Sequence, residues 1–354
     1  MDPLETTLAA IEPADAGTRA RAVERLEQLT MPHWAMGRLL DLAADLAGMT
    51  ASLAPPVRRR AVVVMAADHG VTSQGVSQYP ADVTPQMVRN FAAGGAAINA
   101  MARTAASDLV VVDMGVDGDL ADLVQSGAVL DHRIAAGTAD LSLGPAMSPE
   151  QARACVEAGI AVAADLASTN DLLGTGDIGI GNTTPSAAIA ACISGLPADQ
   201  VTGRGTGIDD ARWAQKVATV QRALEVNAPD PTDGLDVLTK VGGFEIGGLA
   251  GLILGAAAHR RPVIIDGYIS TAAALIATLL SPAAADYVIL AHRSAESGHV
   301  AMCDHLGRQP LLDLDLRLGE GTGAALAMPL VEAAARLLTE VATFAEAAVS
   351  GEDG

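Results

Sequence analysis

Val62-Val63-Val64-Met65-Ala66-Ala67-Asp68-His69-Gly70 is an unbroken apolar run that ends in two polar side chains and a glycine. A strand with one wet face alternates apolar and polar residues, whereas a strand covered on both faces does not. Three further runs share this form. Leu109-Val110-Val111-Val112 leads into Asp113-Met114-Gly115, Pro262-Val263-Ile264-Ile265 into Asp266-Gly267, and Tyr287-Val288-Ile289-Leu290 towards His292-Arg293-Ser294. Alanine-rich helical stretches separate the runs, which predicts an α/β fold with a Rossmann-like parallel sheet and helices on both faces. In open sheets of this kind ligands bind beyond the carboxyl ends of the strands. Polar residues gather there in all four runs, although any strand-to-loop transition does the same.

Both ends of the chain read differently. From about Gly17 to Met49, Leu, Ala and Met recur at three- and four-residue spacing, broken at Pro32. A long Ala/Leu helix is expected from about Ala324 to Ser350. The two ends are expected to pack together as a small helical domain, residues 1–55 with 324–354, beside a large α/β domain over 56–323 that carries the active site. Between them, Ser148-Pro149-Glu150-Gln151 has the form of a capping box with proline at the first helical position.

Composition narrows the function. Half of the 354 residues are hydrophobic but only 2% are aromatic, so the core is built from Ala, Leu, Val and Ile. No apolar run reaches the ~18 residues that a membrane span needs. Gly247 to Ala258, the longest, stops at His259-Arg260-Arg261 and reads as a buried helix. The formal charge of -20 argues against nucleic acid and anionic membranes as partners. Three scattered cysteines fit neither a disulfide framework nor a zinc site, and the start of the chain lacks the pattern of a signal peptide, so the cytoplasm is the expected compartment. Asp and His residues show no tight metal-ligand spacing, and no metal or cofactor is expected.

The segment Gly176-Asp177-Ile178-Gly179-Ile180-Gly181-Asn182-Thr183-Thr184-Pro185 joins an apolar run to a helix start. Glycines permit close backbone approach, and free amides at a helix start beside threonine hydroxyls make an anion site. An ordinary capped helix after a glycine turn is the plainer reading. Leu318-Gly319-Glu320-Gly321-Thr322-Gly323 places one carboxylate in a glycine-rich loop before a long helix. Phosphate cradle and isolated carboxylate together suggest chemistry on a phosphorylated sugar. Gly203-Arg204-Gly205-Thr206-Gly207, with Lys216 beyond it, supplies candidate local cations. The stretch from Asp68 to Met87, containing Ser77, Tyr79, Gln86 and Met87, mixes apolar and polar groups in a way that suits a planar heteroaromatic ring.

In this order, these segments resemble the nicotinate-nucleotide–dimethylbenzimidazole phosphoribosyltransferase family. The likeness runs from about Arg25 to Phe344 and includes Val241–Ile246, Asp266–Ala274, Ser294–His299 and Leu316–Ala324. It implies a homodimer that takes nicotinate mononucleotide and a benzimidazole-type base, in cobalamin nucleotide-loop assembly. By the same likeness Glu320 is the catalytic base and Asp177 the second carboxylate. Gly179, Gly181, Asn182, Thr183, Thr184, Gly203, Arg204, Gly205 and Lys216 would hold phosphate and ribose. Ser77, Tyr79, Gln86, Met87 and Leu318 would hold the base. Two departures stand out. Asp177 replaces the family's glutamate, and Met31-Pro32-His33-Trp34-Ala35-Met36-Gly37 replaces its Lys-Pro-Pro-Gly-Ser-Leu-Gly segment. A paralogue using adenine or a phenol, and a catalytically silent nucleotide-binding relative, remain open alternatives.

Overall fold

The computed structural model describes residues 2–205 and 207–350. Thr206 of the glycine-rich turn, Met1 and residues 351–354 at the ends of the expected small domain lie outside the described residues. Six strands form one sheet: β1 (Arg60–Ala67), β2 (Asp108–Gly115), β3 (Leu130–Asp131), β4 (Leu172–Ile178), β5 (Val263–Ile265) and β6 (Val288–Leu290). Their order is β3-β2-β1-β4-β5-β6, and every pairing is parallel. The order reverses between β1 and β4, which opens a crevice at their carboxyl ends. Register sets Met65 opposite Asp177 there.

All four apolar runs are strands, and β1 is buried along its whole length. β3 has no such run, and the apolar run before Gly176 is β4, where only Leu172 and Leu173 precede the first glycine. β4 reads Leu-Leu-Gly-Thr-Gly-Asp-Ile, a poor strand by composition, yet it lies at the centre of the sheet. Gly174 leaves room for Ala324 and Met328 of the Thr322–Glu340 helix. A Cβ on Gly176 would stand 2.7 Å from the Glu320 carbonyl oxygen. The helix therefore approaches the sheet along a glycine track that β-branched residues would close.

The Phe244–Ala258 helix is buried over nearly its full length. It lies between the sheet and the Pro149–Ala167 helix, with Gly247 against Cys155 and Gly248 against Met65 and Met114. The capping box holds. Ser148 Oγ accepts from the Gln151 amide at 3.2 Å, and Gln151 Oε1 accepts from the Ser148 amide at 2.9 Å.

At the start, two helices, Ala16–Leu26 and Arg38–Thr50, flank a non-helical stretch around Pro32. The closing helix is shorter than expected. It ends at Glu340 with Val341 extended, and Thr343 caps a separate turn, Phe344–Ala347. Thr343 bridges to Leu29, and the Ala342 carbonyl accepts from the Thr30 amide at 3.0 Å, so this break ties the two chain ends together. The Thr322–Glu340 helix packs on Arg38–Thr50 and Ala16–Leu26 and also reaches β4 and β5.

Candidate active site

A cavity of about 370 Å³ opens at the carboxyl ends of β4, β5 and β6. Nine of the residues expected there line it: Ser77, Tyr79, Asp177, Gly179, Gly181, Asn182, Thr183, Gly205 and Leu318. Tyr79 and Leu318 are both more than half exposed at its rim. One aromatic face and one aliphatic side chain at a cleft mouth suit a planar ring.

The floor is the turn between β4 and the Thr183–Ser194 helix. Gly181 has φ +91°, and no side chain caps the helix start. Instead of capping amides, Asn182 donates from Nδ2 to Asp177 Oδ2 at 2.9 Å. The amide of Ile180 donates to Thr84 Oγ1 at 3.0 Å, which fixes the turn from the other side.

Lys216 stands behind this floor, 1% exposed. Its Nζ donates to Thr183 Oγ1 at 2.7 Å and to the Gly203 carbonyl at 3.4 Å. Burial lowers its pKa to about 8, with Glu296 acting the other way. Gly203 and Thr184 also lie outside the cavity lining, and Thr184 is fully buried. Arg204 turns outward. It pairs with Asp210, donates to the Ile208 carbonyl at 3.0 Å and lies 5.9 Å over the Trp213 ring. Gln86 is exposed on the Val83–Ala92 helix, and Met87 packs partly against the core; neither lines the cavity.

Glu320 sits immediately behind the lining, in a loop of unusual backbone. Gly319, Glu320 and Gly321 have φ of +85°, +62° and +84°. Glutamate seldom adopts that conformation. Asp266, at the end of β5, enforces it. Its Oδ2 accepts from the Gly321 amide at 3.1 Å and its Oδ1 from the Ala324 amide at 2.9 Å. Glu320 is 5% exposed, and its Oε2 accepts from the Ile98 amide at 3.3 Å. Burial raises the Glu320 carboxyl above its ordinary range, Asp266 adds to this, and the Ile98 bond opposes it. Asp177 is pushed well above the carboxylate range, first by burial and then by Asp266 and Glu245. Burial that raises a carboxyl in this way strengthens it as a proton acceptor.

Beneath the turn, His69 Nε2 and Glu245 Oε1 meet at 2.7 Å, both side chains fully buried. Burial works against the imidazolium, but the Glu245 carboxylate outweighs it and raises His69.

Tyr268, His292, Ser294, Glu296 and Arg317 also line the cavity, although no motif singles them out as individual site residues. Their signal was the polar ending of the β5 and β6 runs and the loop that follows. His299 pins that loop. Its Nδ1 accepts from the Ser294 amide at 3.0 Å. Thr271 Oγ1 donates to the Gly267 carbonyl at 2.7 Å, so His299 Nε2 is the donor in its 3.0 Å bond to Thr271. That assignment makes His299 neutral, and burial accordingly lowers its pKa to about 3.

The phosphoribosyltransferase family model matches residues 11–349. A nicotinate-nucleotide–dimethylbenzimidazole phosphoribosyltransferase from Syntrophotalea carbinolica is 63% identical over 350 residues, 99% of each chain. The chain belongs to this family. A relative of the same name from Desulfotalea psychrophila is 52% identical over 354 residues, the whole of both chains. The crystal structure of the Thermus thermophilus member superposes with a TM-score of 0.90 at 44% identity, covering 95% of this chain and 99% of that one. Against this phosphoribosyltransferase background, the divergent segment at residues 31–37 contributes nothing to the cavity lining.

Proposed function

We propose that this chain transfers the 5-phosphoribosyl group of nicotinate mononucleotide to 5,6-dimethylbenzimidazole, giving α-ribazole 5′-phosphate and nicotinate. A benzimidazole nitrogen attacks C1′ with its lone pair. The C1′–nitrogen bond to nicotinate breaks, its electron pair neutralises the pyridinium, and configuration at C1′ inverts. The other benzimidazole nitrogen loses its proton to Glu320. Leaving-group departure needs no acid, because the leaving nitrogen is already cationic.

In this reading the Gly179–Thr183 turn and Lys216 hold the phosphate, while Asp177 faces the sugar and stabilises developing positive charge. Tyr79 and Leu318 flank the base. The observation that carries the reading is the placement of Glu320, a buried carboxyl beside the cavity, in a positive-φ loop that Asp266 holds at the start of the last long helix. The reading extends to a homodimer, to the division into a small helical domain and a large α/β domain, and to a place in cobalamin nucleotide-loop assembly in the cytoplasm. The chain-end ties at Leu29 and Thr30 support the domain division.

Product analysis tests the activity. Nicotinate mononucleotide with 5,6-dimethylbenzimidazole should yield α-ribazole 5′-phosphate, and a panel including adenine and a phenol should react more slowly. Binding of the nucleotide without product from any base would leave a silent relative. A faster reaction with adenine or the phenol would leave a paralogue.

A further inference from the structure

Glu296 is a carboxyl group where an anion is expected to bind. It lines the cavity on the side of Gly203 and Gly205, and it is 7% exposed. Its Oε2 is fully buried and finds no hydrogen-bond partner among the described residues, while the carboxyl also has the Gly205 backbone beside it as a hydrogen-bond donor. The group packs directly on Gly203, at a place where any side chain at residue 203 would displace it. It is fixed there, since the Glu296 amide donates to Ser294 Oγ at 3.3 Å and the His299 amide donates to the Glu296 carbonyl at 3.1 Å.

The charged and titratable groups around it are few. Lys216 faces it from the Asp210–Asn227 helix, Arg317 from the loop before Glu320, and Tyr268 from the start of the Tyr268–Leu280 helix. Asp177 and His292 share the cavity, and His299 follows on its own segment. Lys216 already donates to Thr183 and Gly203, and Arg317 is exposed with Nη1 on the Gly205 carbonyl at 3.3 Å.

An ionised carboxylate and a phosphate dianion carry only acceptors and repel one another, whereas one proton between them makes a charge-assisted hydrogen bond. We infer that Glu296 contacts the substrate phosphate as a neutral carboxyl that donates its proton to a phosphate oxygen. This makes it a specificity residue for nucleotide over nucleoside. Burial raises the free carboxyl, which eases the protonation, with Lys216 opposing. The inference rests on nicotinate mononucleotide being the substrate.

The test is calorimetric titration of wild type and Glu296→Gln with nicotinate mononucleotide, and with nicotinate riboside as the phosphate-free control. The range runs from about pH 5.5 to about pH 7.5, below the point at which Lys216 loses its proton. The glutamine amide supplies a donor at every pH. The Kd ratio of wild type to Glu296→Gln should be lowest at the acid end. It should climb by up to about tenfold per pH unit above the ionisation of free Glu296. For the riboside it should stay flat. A flat ratio for the nucleotide overturns the inference. So does weaker nucleotide binding by Glu296→Gln at every pH, which would mean an ionised carboxylate accepting from sugar hydroxyls. Nucleotide binding without product refutes the activity and leaves this inference standing; absence of nucleotide binding refutes both.

Discussion

The amide of Glu320 donates to the carbonyl of Asp177 at 3.2 Å, so the two acids of the proposed reaction hang from one junction between β4 and the loop before the last long helix. Their carboxyls point to different partners, Asn182 for Asp177 and the Ile98 amide for Glu320. If Glu320 takes the proton, Glu320→Gln should keep the fold and the Ile98 contact, since its amide oxygen still accepts. Turnover should fall ~10²–10⁴-fold, the usual worth of a general base. Product formation is measured beside substrate binding. Near-normal turnover removes Glu320 from the role, and lost binding makes it a structural residue.

Gly176 tests the junction from beneath. An added Cβ would stand 2.7 Å from the Glu320 carbonyl oxygen and 2.8 Å from the Gly321 amide nitrogen, both backbone atoms that cannot rotate away. Gly176→Ala should therefore shift the Glu320 loop and cost ~1–3 kcal/mol of stability, as overpacking does. Turnover measured well below the melting temperature should also drop. Full activity at that temperature would mean that the loop tolerates displacement and that Glu320 needs no such exact placing.

That contact also explains what the sequence conceals. Four strands are legible because β-branched runs buried on both faces leave a local signature. β4 is not, because its glycines answer to the Thr322–Glu340 helix, more than 140 residues away in the chain. The phosphate turn is legible for the same local reason as the strands, since turn and helix start are contiguous. The polar endings of the β5 and β6 runs and the loop after them are legible, but which of their side chains enter the cavity, Glu296 and His292 among them, depends on the adjacency of β4, β5 and β6. Arg204 lies outside the cavity lining. A cation in a glycine-rich turn suggests a phosphate ligand, but Asp210 and Trp213 draw it outward.

The buried pair of His69 and Glu245 should appear in the pH dependence of stability. His69 is raised in the folded state above its ordinary value of about 6.5. Its contribution is fully present below that unfolded value and is lost as pH rises through the folded one. Glu245→Gln removes the carboxylate and leaves burial to oppose the imidazolium. The loss of stability should then be largest at acid pH, on the order of 3–5 kcal/mol for a broken buried pair, and shrink towards alkaline pH. Urea denaturation of both proteins across the range measures it. A difference constant with pH would show that the pair carries no charge-dependent stability.

Asp177 stands where the family resemblance leads one to expect a glutamate, and its surroundings fit a role at the site better than a role as a turn cap. A capping aspartate accepts from backbone amides just ahead of it. Asp177 accepts instead from the Asn182 side chain, and it lines the cavity while 5% exposed. Burial and the neighbouring acids raise it, so the ionised form is costly there, and in the proposed reaction positive charge developing at the sugar would favour it. Asp177→Ala should therefore slow turnover with little loss of stability, because it removes an ill-solvated group and a single side-chain hydrogen bond. Asp177→Glu, which restores the family's residue, should keep turnover near wild type, its longer reach meeting the sugar directly. Melting temperature and kcat measured together separate the two roles. A large fall in melting temperature with kcat preserved in Asp177→Ala would make this carboxyl a structural partner of Asn182 and leave Glu320 as the one acid in the reaction.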